Sequence, residues 1–241
     1  MSPAELAARI DHTILKPEAT SAEVHRVATE AMQHRFASVC IAPAWVGPIA
    51  LMLKGSGTPV CTVVGFPHGT SKSTVKAIEA TAAIKDGAAE VDVVGHLPFL
   101  MDADVDASRA ELMELVRAAR AARRDVVIKV IVESALLMKD GADRGEARLA
   151  AACQAVRESG CDFIKTSTGF HPAGGATLDA VVLMKKHADG IRVKASGGIR
   201  DWATASAMLE AGADRLGLSA SIAILNELKE STSNGGAPAG Y

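Results

Sequence analysis

Short runs of β-branched and aliphatic residues recur along the chain, each followed by a segment whose apolar positions repeat at helical spacing. The runs predict eight strands, at residues 9–13, 37–41, 60–65, 90–94, 126–133, 162–167, 191–196 and 215–218. The intervening segments predict eight helices, at residues 22–33, 44–54, 73–86, 106–123, 144–159, 178–187, 202–211 and 222–230. Strict strand–helix alternation demands a parallel sheet covered by helices. No Gly-x-Gly-x-x-Gly follows the first strand, which counts against a dinucleotide-binding open sheet. Eight similar units within 241 residues favour closure into a single (β/α)8 TIM barrel.

Helix punctuation agrees. Thr20-Ser21-Ala22-Glu23 and Thr177-Leu178-Asp179 offer capping oxygens and early acidic residues, and Gly87, Gly160 and Gly212 follow helices as stops. The barrel is expected to occupy residues 1–230. Residues 231–241 lack the apolar residues needed to order a segment and read as a flexible tail.

Strand parity then locates chemistry, because successive side chains point to opposite faces. In the fifth strand Val126, Ile128, Val130 and Val132 form an aliphatic set suited to lie under helices, so Lys129 and Glu133 point inward. The same argument turns Asp11 and Thr13, Asp92, Lys165 with Ser167, and Arg192 with Lys194 into the barrel. Lysines on three successive strands thus meet carboxylates in an interior that barrels ordinarily fill with Val, Ile and Leu. An internal salt-bridge network is the plain structural account, especially for Lys129 with Glu133. The lysines also suit nucleophilic catalysis. Lys165 and Lys194 stand at matching heights on adjacent strands, and an amine placed near another ammonium in a poorly solvated site loses its proton more readily. Asp92 is positioned to relay protons.

Composition narrows the partners. A formal charge of −2, from 26 basic and 28 acidic residues, gives no reason to expect nucleic acid or an anionic membrane. An anionic small substrate must therefore be gripped locally. Small residues at the ends of strands seven and eight, around Gly197, Gly198, Gly217 and Ser219, form the turns where barrels cradle phosphate, and Thr168 with Gly169 after strand six completes the rim. Arg192 is an alternative anion partner, low on its strand. Cys40, Cys61, Cys153 and Cys161 show no metal or redox spacing and read as reduced thiols of a cytoplasmic protein, Cys40 being an inward core filler. His12, His68 and His171 lack metal-ligand spacing, so no metal is assigned. Neither a signal core nor a membrane-spanning stretch is expected.

Four segments, Ile10-Asp11-His12-Thr13-Ile14-Leu15-Lys16-Pro17, Val63-Val64-Gly65-Phe66-Pro67-His68-Gly69, Phe163-Ile164-Lys165-Thr166-Ser167-Thr168-Gly169-Phe170 and Val193-Lys194-Ala195-Ser196-Gly197-Gly198-Ile199-Arg200, resemble the deoxyribose-phosphate aldolase family. With the turn around Ser219, the resemblance runs from residue 10 to about 221. It implies reversible cleavage of 2-deoxy-D-ribose 5-phosphate to acetaldehyde and D-glyceraldehyde 3-phosphate, with Lys165 forming a Schiff base, Lys194 perturbing its pKa and Asp92 moving protons. It also implies Asp11 supporting the lysines or a substrate hydroxyl, the glycines and Ser219 near phosphate, and no cofactor, since the protonated imine is the electron sink. Two departures stand out: Gly95-His96-Leu97-Pro98-Phe99-Leu100 after the Asp92 strand, and Ala220 where a hydroxyl is frequent. Tyr241, the only tyrosine, offers a phenol for proton transfer if the tail folds over the barrel mouth.

Two other readings compete with this one: a related Schiff-base aldolase for another deoxysugar, phosphorylated or not, and a non-catalytic barrel that binds sugar phosphates. The Ala-rich helices are also compatible with a homo-oligomer.

Overall fold

In the computed structural model, which describes residues 1–234, eight parallel strands close into a barrel in chain order. They are β1 (Ile10–Ile14), β2 (Ser38–Ile41), β3 (Val60–Val64), β4 (Glu90–Val94), β5 (Val127–Ile131), β6 (Phe163–Lys165), β7 (Arg192–Ser196) and β8 (Arg215–Leu218). The long helices are α2 (Ser21–Gln33), α3 (Val46–Met52), α4 (Ser73–Lys85), α6 (Val105–Ala122), α8 (Ala142–Ser159), α9 (Leu178–His187), α10 (Trp202–Glu210) and α11 (Ser221–Asn234). Three short ones, α1 (Pro3–Ala7), α5 (Leu97–Met101) and α7 (Ser134–Leu137), had no predicted counterpart, because five residues or fewer give no readable helical period. Among the described residues no helix is long and apolar enough to cross a membrane.

Local chemistry accounts for the boundaries. Thr20 and Glu23 form a reciprocal capping box on α2, and Ser2 with Glu5 does the same for α1, whose first residue is Pro3. The α8 helix stops at Gly160, which takes the left-handed conformation at φ 80°. The fifth strand ends earlier than predicted because Glu133 also turns left-handed, at φ 52°, and becomes the N-cap of α7 instead of continuing the strand. At the other end of the barrel, α11 runs on through residues 231–234, into the segment expected to be a tail.

The outward faces supply the core: Val91, Val93, Ile128, Val130, Ile164 and Val193 are buried beneath the helices, as parity required. Closing the ring, β8 pairs with β1 so that Gly217 stands opposite Asp11, and β6 pairs with β7 so that Lys165 stands opposite Lys194.

One long connection shapes the barrel mouth. Between β6 and α9 the chain forms residues 166–177, pinned where Ala176 N donates to Ser196 O and Gly197 O at 3.1 and 3.0 Å. Gly175 lies directly against the backbone of Gly197, so that a Cβ at 175 would collide with the Gly197 carbonyl. This contact holds the loops after β6 and β7 side by side. Gly175→Ala is expected to lower stability by about 1–3 kcal/mol through this overlap. A denaturant melt with an unchanged midpoint would show that the two loops are not clamped there.

Candidate active site

The barrel interior is an ion cluster. Asp92 on β4 receives three lysines: Lys165 Nζ and Lys194 Nζ each lie 2.7 Å from its Oδ2, and Lys129 Nζ lies 2.8 Å from its Oδ1. Lys194 also contacts Asp11 Oδ2 on β1. Lys129 reaches Glu90 at 2.6 Å, and Arg215 joins below with Nη1 2.6 Å from Asp11 Oδ1 and 3.6 Å from Glu90. Ser38 Oγ donates to Asp11 Oδ1 at 2.7 Å, and Cys61 Sγ lies 3.3 Å from both Asp92 Oδ1 and Lys129 Nζ. Four cations thus face three carboxylates, a surplus of one positive charge.

Space for Lys194 is made by β8. A Cβ at position 217 would come within 3.1 Å of Lys194 Cε and 3.0 Å of Ser196 Cβ, so the glycine leaves this lysine room on its way to Asp11. Gly217, taken from the sequence as part of a phosphate turn, therefore has a second task beneath the pocket.

Burial alone would push the Asp92 and Asp11 carboxyls up, but the surrounding cations outweigh it. Lys129, Lys165 and Lys194 hold Asp92 well below the usual carboxylate range, and Lys194, Lys129 and Arg215 do so for Asp11. Burial would likewise lower Lys129 and Lys194, yet the carboxylates around them hold both above the usual lysine value. These two amines are therefore fixed cations.

Above the cluster a cavity of about 500 Å³ opens at the C-terminal ends of the strands. Its lining includes Lys165, Thr13, Thr168, Gly169, Gly197, Gly198, Gly217 and Ser219. Of the three interior lysines, Lys165 is the one that lines it. Asp11, Asp92, Lys129 and Lys194 lie beneath, with no more than about 1% exposure, so Asp11 and Lys129 are placed to order the lysines and not to touch a ligand in the cavity. Thr13 sends its hydroxyl back to Asp11 O at 2.9 Å.

Other expectations are revised. Lys129 does not pair with Glu133: Glu133 Oε1 instead accepts the backbone N–H of Thr168 at 2.8 Å and so fixes the start of the loop after β6. Arg192 is exposed and lies over the Phe163 ring, 3.9 Å from its centre, at the N-terminal end of the barrel and far from the cavity. The 95–100 segment turns away too. His96 stacks on Phe99 with centroids 4.4 Å apart and lines a separate cavity beside Thr70 and Glu111. Tyr241 lies outside the described residues.

Sequence reasoning missed Glu90 and Arg215, although they share parity with Asp92 and Gly217 and the alternation carried that signal. It also missed Lys16, Arg26 and Arg200 on the cavity rim, which sit on loops and helices where strand parity says nothing. Two groups, Cys40 with Cys61 and Asp92, and Asp11 with Cys61 and Glu90, bring ligand-type atoms within 4.8 Å of one another. Their carboxylates are already taken by ammonium and guanidinium groups, so a further cation there would meet like charge on every side.

A family model described as the DeoC/LacD family aldolase matches residues 6–227. A protein of Mycobacterium avium (strain 104) named deoxyribose-phosphate aldolase is 48% identical over 226 residues, covering 93% of this chain and 97% of that protein. One of the same name from Caldanaerobacter subterraneus subsp. tengcongensis is 44% identical, covering 93% and 94%. Among solved structures, the tetrameric deoxyribose phosphate aldolase of Aeropyrum pernix superposes with a TM-score of 0.86 at 33% identity, over 95% of this chain and 93% of that one. A second structure, described as QR15, an aldolase, gives 0.84 at 38% identity, covering 95% and 98%.

Removing one charge from the cluster tests its cohesion. The stability that Asp92 and Asp11 add is present above the ordinary carboxylate pKa of about 4 and is lost as pH falls through their lower folded values. Lys129→Met raises those folded values, so acid unfolding followed by circular dichroism should begin at higher pH. Stability at neutral pH should also drop, by about 3–5 kcal/mol. An acid midpoint that stays put would show that Lys129 does not hold the carboxylates.

Proposed function

The chain belongs to the DeoC/LacD aldolase family, and from that premise we propose how its barrel cleaves 2-deoxy-D-ribose 5-phosphate reversibly to acetaldehyde and D-glyceraldehyde 3-phosphate: Lys165 forms a Schiff base with the sugar aldehyde. The observation that carries this reading is the sharing of Asp92 Oδ2 by Lys165 and Lys194, with Lys165 the one interior lysine that opens onto the cavity. The cluster holds one positive charge too many, and Lys165 has a single carboxylate contact. Loss of its proton leaves three cations against three carboxylates, which is the balanced state of a dry interior.

The neutral amine attacks the aldehyde carbon of the open-chain sugar, and loss of water from the carbinolamine gives a protonated imine. Asp92, working through a water, takes the proton of the C3 hydroxyl. The C2–C3 electron pair moves into the imine to give an enamine, and D-glyceraldehyde 3-phosphate leaves. Protonation at C2 and hydrolysis of the imine then release acetaldehyde and restore the amine. Lys194 stays a cation throughout and keeps positive charge beside the developing imine, held by Asp11 in the space that Gly217 leaves open. The phosphate is held by backbone N–H groups around Gly197, Gly198 and Ser219, with Thr168 and Gly169 closing the opposite rim.

The four free, buried thiols suit a reducing cytoplasmic setting. The exposed apolar side chains Leu51, Val75 and Ile78 on α3 and α4 suit contact between copies of the chain.

Borohydride reduction in the presence of acetaldehyde should leave one ethyl group, located by peptide mass spectrometry on Lys165. Lys165→Arg should abolish both adduct and turnover. Lys194→Gln and Asp92→Asn should lower turnover by at least about 100-fold, measured per molecule that circular dichroism shows to be folded. An adduct on another lysine, or full turnover by Lys165→Arg, would overturn the assignment.

A further inference from the structure

A buried histidine outside the barrel interior remains unaccounted for. His12 on β1 points away from Asp11 and Thr13, toward the helices, and is 2% exposed. Its Nδ1 lies 2.8 Å from Ser221 Oγ and its Nε2 lies 2.8 Å from Glu30 Oε2. The trio has the composition of a hydrolytic triad, but Ser221 has no exposed surface and cannot meet a substrate. Its two ends lead elsewhere. Ser221 opens α11, two residues after the cavity-lining Ser219. Glu30 uses its other oxygen to accept from Arg26 Nη1 at 2.6 Å, and Arg26 lines the same cavity.

The rim carries three cationic side chains, and they are not equivalent. Lys16 is engaged by Glu23 at 2.6 Å, a carboxylate that also accepts from Thr20. Arg26 and Arg200 are both exposed, but Arg200 has no ion pair among the described residues to fix its direction. Arg26 is held at one nitrogen by a carboxylate that a buried imidazole itself holds, which leaves the rest of its five-donor fork for an anion. Burial keeps the His12 ring below its usual pKa despite the opposing hydrogen bond and charge of Glu30. A neutral ring donates from Nε2 to Glu30 and accepts at Nδ1 from Ser221.

We propose that Arg26 is the side-chain cation that recognises the substrate phosphate, and that Glu30 and His12 are its positioning residues. The inference rests on the sugar-phosphate reading of the cavity. Backbone amides at Gly197, Gly198 and Ser219 supply directed donors, and Arg26 supplies the full charge that separates a phosphorylated sugar from a free one. Because His12 grips both Ser221 and Glu30, the turn into α11 and the guanidinium are set by one buried ring.

Two measurements test this. In steady-state kinetics, the ratio of kcat/KM for 2-deoxyribose 5-phosphate to that for 2-deoxyribose should fall about tenfold in Arg26→Ala, carried by KM for the phosphorylated sugar, with Arg26→Lys recovering part of it. Glu30→Gln and His12→Asn should lower the same ratio although the cation remains. Calorimetric titration with inorganic phosphate reads the site without catalysis, and Arg26→Ala should weaken that binding to a similar degree. An unchanged ratio and unchanged phosphate binding in Arg26→Ala would overturn the proposal, as would a loss of activity equal for both sugars. A wild-type protein that binds phosphate through Arg26 yet forms no borohydride adduct would support the anion site while removing the aldolase reading of Lys165.

Discussion

The interior of this barrel depends on one carboxylate. Asp92 meets lysines from β5, β6 and β7, and through them it is coupled to Asp11 on β1, Glu90 on its own strand and Arg215 on β8. Barrels ordinarily fix strand register with layers of branched aliphatic side chains. Here those layers are replaced by ion pairs, and a one-residue slip of any of these strands would turn a charge outward under the helices, where nothing could solvate it. The same cluster that specifies the register also sets the protonation states. Asp92 and Asp11 are held ionised by the cations around them, and Lys129 and Lys194 are held protonated by carboxylates.

Strand parity made most of this cluster readable in the sequence, because a charged residue flanked by β-branched ones on a short strand has only one face to occupy. Lys129, Lys165, Lys194, Asp92 and Asp11 were all turned inward on that ground, and all five meet. Glu90 and Arg215 obey the same rule but stand at the first positions of their strands, where a predicted boundary can be off by a residue and parity is least secure. Glu133 shows the opposite failure. Parity assumed that the fifth strand continued, whereas a left-handed turn at Glu133 redirected its side chain to a loop amide. Partners fixed across loops and helices, such as Arg26 with Glu30 and His12, carry no periodic signature. They depend on how far a helix leans over the barrel mouth, which only the assembled fold determines.

The site is built in two tiers with different electrostatics. The lower tier is dry, and its charges interact with one another in a medium that screens them poorly. The upper tier is the open cavity, lined by small residues such as Gly169, Gly197, Gly198 and Ser219 together with the cationic side chains of Lys16, Arg26 and Arg200. The groups proposed for catalysis stand on strands that cannot move without unpairing the ladder. The groups proposed for recognition stand on the loops after β6, β7 and β8 and on α2, tied down by individual hydrogen bonds such as Thr168 N to Glu133 and Ala176 N to Ser196 and Gly197. Substitutions in the two tiers should therefore separate chemistry from affinity, because the groups are carried by different elements.

Lys165 is the residue that joins the tiers, and in the proposed mechanism its contact with Asp92 is the route by which chemistry in the cavity reaches a carboxylate that does not line it. As an ammonium, Lys165 occupies Asp92 Oδ2 together with Lys194. Conversion to a protonated imine replaces two of its three N–H donors with a bond to carbon, and the remaining N–H must follow the plane of the new double bond. Asp92 then keeps Lys194 and Lys129 but loses part of its third partner, so its affinity for a proton rises at the step that requires a base. Hydrolysis of the imine restores the ammonium and draws Asp92 back to its ionised state. In the proposed mechanism the carboxylate is switched by the covalent state of its neighbour. That is why a buried, strongly ionised aspartate is compatible with a proton-transfer role here.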